Sequence, residues 1–408
     1  MKNKLPLIKI TVFFLFLICF SNADAQLKYR RVIVSDSGTT NSIGAANTSK
    51  NIAISPFGMI GVVYTGNSGV RFAKSTNGGQ SFLPSIKLSS ATTGEAEINM
   101  AANGNIYIVH ANKIYISSDE GNSFISNTYQ TGGANVPHVT SYGDDVYILV
   151  SGTKKVYRNN NNGLDTFYST TIGGASAAFS DIYADPSTGN VYVPSDNPTV
   201  YLDKSTTGAD TFVNVPITPS SSIFFSSYAI SNGPSGSFLF AAGLASNGLK
   251  FNLNTNTNSV LTYANNTGNN DRTLAADDLG DLVDGYKSGS RLSFRVSKDF
   301  GNTFDTSQYF TDTVISHNIA INTFTQDVVT VFSGTDGKIY LNVHEGLLNP
   351  RTVALPTITT FGTLNDFVKC NSGNSSTQSF RVKGINLNKN IIVKAPAGFL
   401  VSSNATTG

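Results

Sequence analysis

Two carboxylates stand side by side in the stretch SSDEGNSF, residues 117–124, followed by a glycine, a hydroxyl and a phenylalanine. Asp119 and Glu120 could help to ligate a calcium ion, take part in proton transfer, or clasp a turn. A calcium loop of the EF-hand type needs several more oxygen ligands at set positions, and the stretch does not supply them. The turn reading gives nearly every residue a task. An Asp carboxylate in a tight turn accepts hydrogen bonds from the backbone N–H groups just ahead of it. Gly121 can adopt positive φ, Ser123 can bond locally, and Phe124 can plug the space between neighbouring sheets.

Other reactive patterns are absent from the sequence. The four histidines, His110, His138, His317 and His344, are far apart and form no HExxH. There is no Gly-x-Ser-x-Gly, no P-loop and no cysteine pair suited to zinc. His110 and His344 are expected on sheet surfaces. No catalytic residue, metal ligand or cofactor is expected.

The elements that position these residues come from a repeat. SKDFGNTF at 297–304 copies the turn, and STNGGQSF at 75–82 copies it with Asn77 in place of the Asp. NNNGLDTF at 160–167 and STTGADTF at 205–212 are looser, with Asp165 and Asp210 moved to just before the Thr. The closing aromatics Phe82, Phe124, Phe167, Phe212 and Phe304 are spaced by 42, 43, 45 and 92 residues. The last spacing is a double period, which places a decayed copy near NLNTNTNS at 252–259. A fixed period in this range marks a repeat architecture.

A short strand with an aromatic precedes each turn: Phe72, Tyr115, Tyr157, Tyr201, Phe251, Phe294 and Tyr340. Alternating apolar segments bounded by Gly, Asn, Asp and Pro lie upstream and downstream, and these are strand signals. Four strands per unit in seven units predict a seven-bladed β-propeller over 26–355, with six blades as the alternative. RRVIVSD at 30–36 and RTVALP at 351–356 compete to complete the last blade. The innermost strands begin near Asn51, Glu97, His138, Asp181, Tyr228, Arg272 and His317. Of these, Glu97, His138, Asp181, Arg272 and His317 are the candidate ligand contacts at the channel mouth. Convergent polar groups in a concavity are the default site hypothesis.

Residues 1–25 read as a signal peptide. Lys2, Lys4 and Lys9 accompany an apolar run from Ile10 to Phe20, and Ala23-Asp24-Ala25 offers a cleavage site before Gln26. The run is too short to span a bilayer. Removing the leader takes three lysines and one aspartate from 28 basic and 26 acidic residues, which leaves a formal charge of zero. A basic footprint for nucleic acid is therefore missing. Only Cys370 then remains, so no intrachain disulfide forms. The expected protein is a monomer, secreted or on the outer cell surface.

The pattern Ser-x-Asp-x-Gly-x-Ser/Thr-Phe resembles the Asp-box, or bacterial neuraminidase repeat, of the sialidase-like superfamily. The resemblance covers roughly residues 50–345. It implies that Asn77, Asp119, Asp165, Asp210 and Asp299 are structural, on the face opposite any active site. Sialidases of that superfamily also use three clamp arginines, a Tyr–Glu nucleophile pair and an Asp acid/base. The first clamp arginine sits in an Arg-Ile-Pro motif, and the matching SKNIAISPFG has no arginine. Arg272 and Arg291 are the two arginines expected near the mouth. The expected function is a non-catalytic binding or scaffold propeller for extracellular glycans or surface proteins. The alternative is an exo-α-sialidase-like glycoside hydrolase. From 356 to 408 the texture changes. This segment is similar to the Ig-like modules of secreted Bacteroidota proteins exported by the type IX route, and it reads as an incomplete sandwich.

Overall fold

The computed structural model describes residues 29–36, 41–44 and 50–348, apart from 93, 131–135, 152, 173–180, 196–200, 217–224, 234–235, 244–246, 263–271 and 306–307. Beyond 348 it describes 357–361, 378, 381–385 and 393. Among the described residues every helix or strand is a strand.

After β1 (Tyr29–Ile33), β2 (Ile52–Ile54), β3 (Ile60–Gly66), β4 (Gly69–Ser75) and β5 (Ile86–Ser89) form one antiparallel sheet in chain order. The same meander recurs in β6 (Ala96–Met100), β7 (Ile106–His110), β8 (Lys113–Ser117) and β9 (Ile125–Thr128). It recurs again in β10 (Pro137–Tyr142), β11 (Asp145–Val150), β12 (Lys155–Asn159) and β13 (Tyr168–Thr171). Next come β14 (Tyr183–Ala184), β15 (Val191–Ser195), β16 (Tyr201–Ser205) and β17 (Val213–Pro216). They are followed by β18 (Phe225–Gly233), β19 (Gly236–Gly243), β20 (Asn247–Asn252) and β21 (Thr257–Thr262). The remaining strands are β22 (Arg272–Ala276), β23 (Leu282–Ser288), β24 (Arg291–Ser297), β25 (Gln308–Asn322), β26 (Asp327–Gly334) and β27 (Ile339–His344). With β1 they form a seven-stranded sheet, because the first part of the long β25 pairs with β24 and its second part with β26.

The first strands of successive meanders lie beside one another and return on themselves. β2 neighbours β6, β6 neighbours β10, β10 neighbours β14, β18 neighbours β22, β22 neighbours β25, and β25 neighbours β2. The Tyr183 hydroxyl oxygen of β14 lies 2.8 Å from the Tyr228 carbonyl oxygen of β18, which supplies the remaining link. β1 pairs with β27, from Tyr29 opposite His344 to Ile33 opposite Tyr340, so the start of the chain completes its last meander. The competing segment 351–356 lies outside the described residues.

Apolar layers fill the gaps between consecutive sheets. One joins Val63, Phe72 and Ile98 with Ile108. Another joins Ile60 and Val62 to Val329 and Leu341, across the ends of the ring. Strands packed on both faces need unbroken apolar runs, as in IYIVH of β7 and VYILV within β11. This explains a departure from expectation: His110 and His344 are buried rather than on sheet surfaces, because they end strands covered on both sides. Burial pushes the His344 imidazole down to about 3.

The repeated turns connect third strands to fourth strands. In the turn after β8, Asp119 Oδ1 accepts from Ser117 Oγ (2.7 Å), Asn122 N (3.1 Å) and Ser123 N (3.0 Å), and Oδ2 accepts from Ser123 Oγ (2.6 Å). Partial burial works against ionisation, but the bonds from Ser123, Ser117 and Asn122 prevail and lower the carboxyl to about 2. Asp299 is held in the same way by Ser297 and Thr303, and Asn77 by Ser75, Gln80 and Ser81. Gly121 has φ +74°, and a Cβ there would lie 2.6 Å from the Phe72 ring. Phe82, Phe124, Phe167, Phe212 and Phe304 each pack against an inter-sheet layer.

The looser turns differ from each other. Asp165 Oδ2 accepts from Asn161 Nδ2 (2.7 Å), which closes the loop from the other side. Asp210 does not clasp its loop in this way. The Thr207 hydroxyl takes the Asp position and accepts from Thr211 N (3.1 Å), while Asp210 pairs with Arg158 of the preceding sheet at 2.9 Å.

Pro350–Gly408 forms a separate compact unit. Within it β28 (Thr357–Phe361) pairs antiparallel with β29 (Arg381–Ile385). The rest of the expected Ig-like module lies outside the described residues.

Candidate functional site

The entry ends of the first strands bring Lys50, Glu97, His138 and Asp181 together. Lys50 immediately precedes the segment leading into β2, Glu97 is the second residue of β6, His138 the second of β10, and Asp181 precedes β14. A third strand of an antiparallel meander ends at the opposite edge from where the first begins, so the repeated turns lie at the other end of the sheets.

Glu97 is 0% exposed, His138 2% and Asp181 8%. Glu97 Oε1 accepts from Val139 N at 2.9 Å, and Oε2 accepts from Lys50 N at 3.3 Å and faces His138 Nδ1 at 2.9 Å. His138 Nε2 meets Ser151 Oγ at 3.1 Å. Asp181 Oδ1 accepts from Ile182 N at 2.7 Å and from Lys50 Nζ at 2.8 Å, and lies 3.9 Å from His138 Nδ1. Tyr183 OH donates to Asp181 Oδ2. The Lys50 ammonium also sits 3.9 Å from the centre of the Tyr183 ring, a cation–π contact.

Electrostatics follow from this packing. Burial works to lower the His138 imidazole, but the Glu97 carboxylate beside it, with Asp181 behind, more than offsets that and raises it above 6.5. With His138 protonated, two carboxylates face two cations and the cluster is neutral. Burial and the neighbouring Asp181 raise the Tyr183 hydroxyl well above its usual value, so it stays a donor. Ligand atoms of Glu97, His138 and Asp181 all lie within 4.8 Å of one another, a set that could hold a cation.

Arg272 belongs to a second cluster. It is fully buried on β22, and its Nη2 donates to Asp284 Oδ2 at 3.0 Å, an oxygen that also accepts from Arg295 Nε at 3.0 Å. The Tyr286 ring lies beneath both guanidinium groups, 6.0 and 5.1 Å from their central carbons. His317 is fully buried on β25. Arg291, the other arginine expected near the mouth, is exposed at the start of β24.

Three of the five candidate contacts therefore come together, and Arg272 is engaged by Asp284. Lys50, Ser151, Tyr183, Asp284 and Arg295 were not among the expected site residues. Two had a legible signal. Tyr183 is two residues from Asp181, on the same face of an extended segment, and Arg295 interrupts the apolar strand LSFRV.

The chain matches no protein-family model and no curated protein sequence. Solved structures resemble it in fold. A streptogramin B lyase is 13% identical with a TM-score of 0.57, covering 78% of this chain and 98% of its own. YCF48 bound to D1 peptide is 14% identical with a TM-score of 0.53, covering 77% and 99%. The extracellular domain of BT4673 from B. thetaiotaomicron is 15% identical with a TM-score of 0.51, covering 77% of this chain and 39% of that one. These are β-propellers, and the cyclic antiparallel meanders described above make this chain an all-β propeller as well.

Proposed function

We propose that the chain is a secreted or cell-surface propeller of seven blades, of the Asp-box kind, that acts as a non-catalytic binding or scaffold module. The proposed organisation is a leader over 1–25, the propeller over 26–355 and an Ig-like module over 356–408. The observation that carries the non-catalytic reading is the engagement of the central charges with one another. The Glu97 and Asp181 oxygens are held by backbone N–H groups, His138 and Lys50, and Arg272 is held by Asp284. A clamp for a substrate carboxylate needs guanidinium groups presented to the ligand, and Arg272 is buried against a carboxylate of its own chain.

A peptide or surface glycan is the proposed partner class. The YCF48 structure, of the same fold, contains a bound peptide, which supports protein binding by such a scaffold. The rival reading is an enzyme: a sialidase-like hydrolase on the turn pattern, or another activity, since a lyase shares the fold. The test combines glycan and peptide arrays with a fluorogenic sialoside assay on the purified full chain. Array binding without turnover is the expected result. Release of sialic acid that Arg272→Ala abolishes would overturn the reading.

A further inference from the structure

We propose that Glu97, His138 and Asp181 form a binding site for one divalent transition ion of the zinc class, which ties three consecutive sheets together at the propeller axis. This goes beyond the binding role and does not depend on it. Each of the three side chains is held by its outer atom. Val139 N holds Glu97 Oε1, Ser151 Oγ holds His138 Nε2, and the Tyr183 hydroxyl holds Asp181 Oδ2. Outer-shell bonds of this kind fix ligand orientation at metal sites. They leave Oε2, Nδ1 and Oδ1 turned toward one another.

Nδ1 shares a proton with Glu97 Oε2 across 2.9 Å; with that proton displaced, as metal ligation requires, all three atoms are lone-pair bearers and a positive charge must lie among them. In the structure as it stands, Lys50 Nζ supplies part of that charge, 2.8 Å from Asp181 Oδ1. The ammonium therefore competes with a bound cation for Asp181 Oδ1. Its side chain is 33% exposed and carried on a flexible four-carbon stem, so it can be displaced to solvent.

The spacing suits a small ion. Bonds of about 2.0–2.1 Å in a tetrahedron place ligand atoms about 3.3 Å apart. The observed Oε2–Nδ1 and Nδ1–Oδ1 distances, 2.9 and 3.9 Å, bracket that value. One imidazole nitrogen and two carboxylate oxygens favour zinc or its neighbours in the first transition row. Calcium requires six to eight oxygen ligands. The chain retains one cysteine outside its leader, so a metal brace would supply a cross-link that a disulfide cannot.

The experiment is titration of Zn2+ into chelator-treated full chain by calorimetry, with elemental analysis after dialysis and circular dichroism to verify folding. One equivalent is expected for the wild type. Asp181→Asn and His138→Gln should each weaken binding by at least about tenfold, as even outer-shell changes do. Lys50→Met removes the competing ammonium and should tighten binding by about tenfold or more; this arm stands if a ligand variant fails to fold. The proposal fails if the wild type takes up no stoichiometric zinc, if uptake survives both ligand substitutions in folded protein, if Lys50→Met leaves affinity unchanged, or if Ca2+ or Mg2+ binds as tightly as Zn2+.

Discussion

Glu97→Gln tests whether the central charges hold the ring together. Glu97 is fully buried, and its two oxygens accept from Lys50 N of the meander before its own and from Val139 N and His138 Nδ1 of the meander after it, so three meanders meet at one carboxylate. Glutamine keeps the shape but turns one acceptor into a donor. In either orientation its NH2 faces a group that is itself donating: Val139 N–H on one side, Lys50 N–H and the imidazole on the other. The charge that offsets Lys50 and His138 is lost as well. Breaking a buried pair by removing one partner costs about 3–5 kcal/mol, and an orphaned buried donor alone about 1–3 kcal/mol. We expect the full chain, freed of metal, to lose about 3–5 kcal/mol in urea unfolding, the range set by that buried pair. Adding His138→Leu removes the imidazole left without its carboxylate, so the double variant should cost about 1–3 kcal/mol less than the sum of the single changes. A loss under about 1 kcal/mol, the scale of an exposed ion pair, or strict additivity of the two changes, would refute the brace.

Gly121→Ala should destabilise by about 2–4 kcal/mol, from positive φ and overpacking on Phe72, whereas Gly104→Ala, with φ +90° and open space around it, should cost about 1–2 kcal/mol from φ alone; equal shifts in urea midpoint would contradict the close packing of Gly121 on Phe72. Asp277→Asn addresses pH: burial and then Asp281 raise this carboxyl from 3.8 to about 6. A folded value above the unfolded one favours the protonated form in the fold, so ionisation removes stability as pH rises from about 4 to about 6, by up to about 3 kcal/mol. The Asn variant should therefore exceed wild type in stability at pH 8 and match it near pH 4, and parallel pH profiles would count against it. Asp119→Ala should cost about 1–2 kcal/mol, since the turn donors it satisfies are exposed and gain water in exchange, and should leave any array binding unchanged; lost binding with full stability would reverse the structural role of the turn.

The sequence by itself determined the repeat and what the repeat makes. The turn residues act through neighbours two to four positions away, as Ser117, Asp119 and Ser123 do, so their spacing carries the geometry. The aromatics from Phe72 to Tyr340 mark one strand of each meander for the same reason: a period survives when every unit meets the same two neighbours. What the tertiary structure decided is long-range. β1 completes the last meander by pairing some 300 residues along the chain, and 30–36 and 351–356 are equally strand-like in isolation. Asp210 looked like a displaced clasp, yet its partner Arg158 belongs to another sheet. Glu97, His138 and Asp181 were legible as strand starts, but not as one cluster with Lys50. Ring closure sets their separations, and burial at the axis, which no local spacing encodes, turns polar strand ends into a neutral, bonded group of charges.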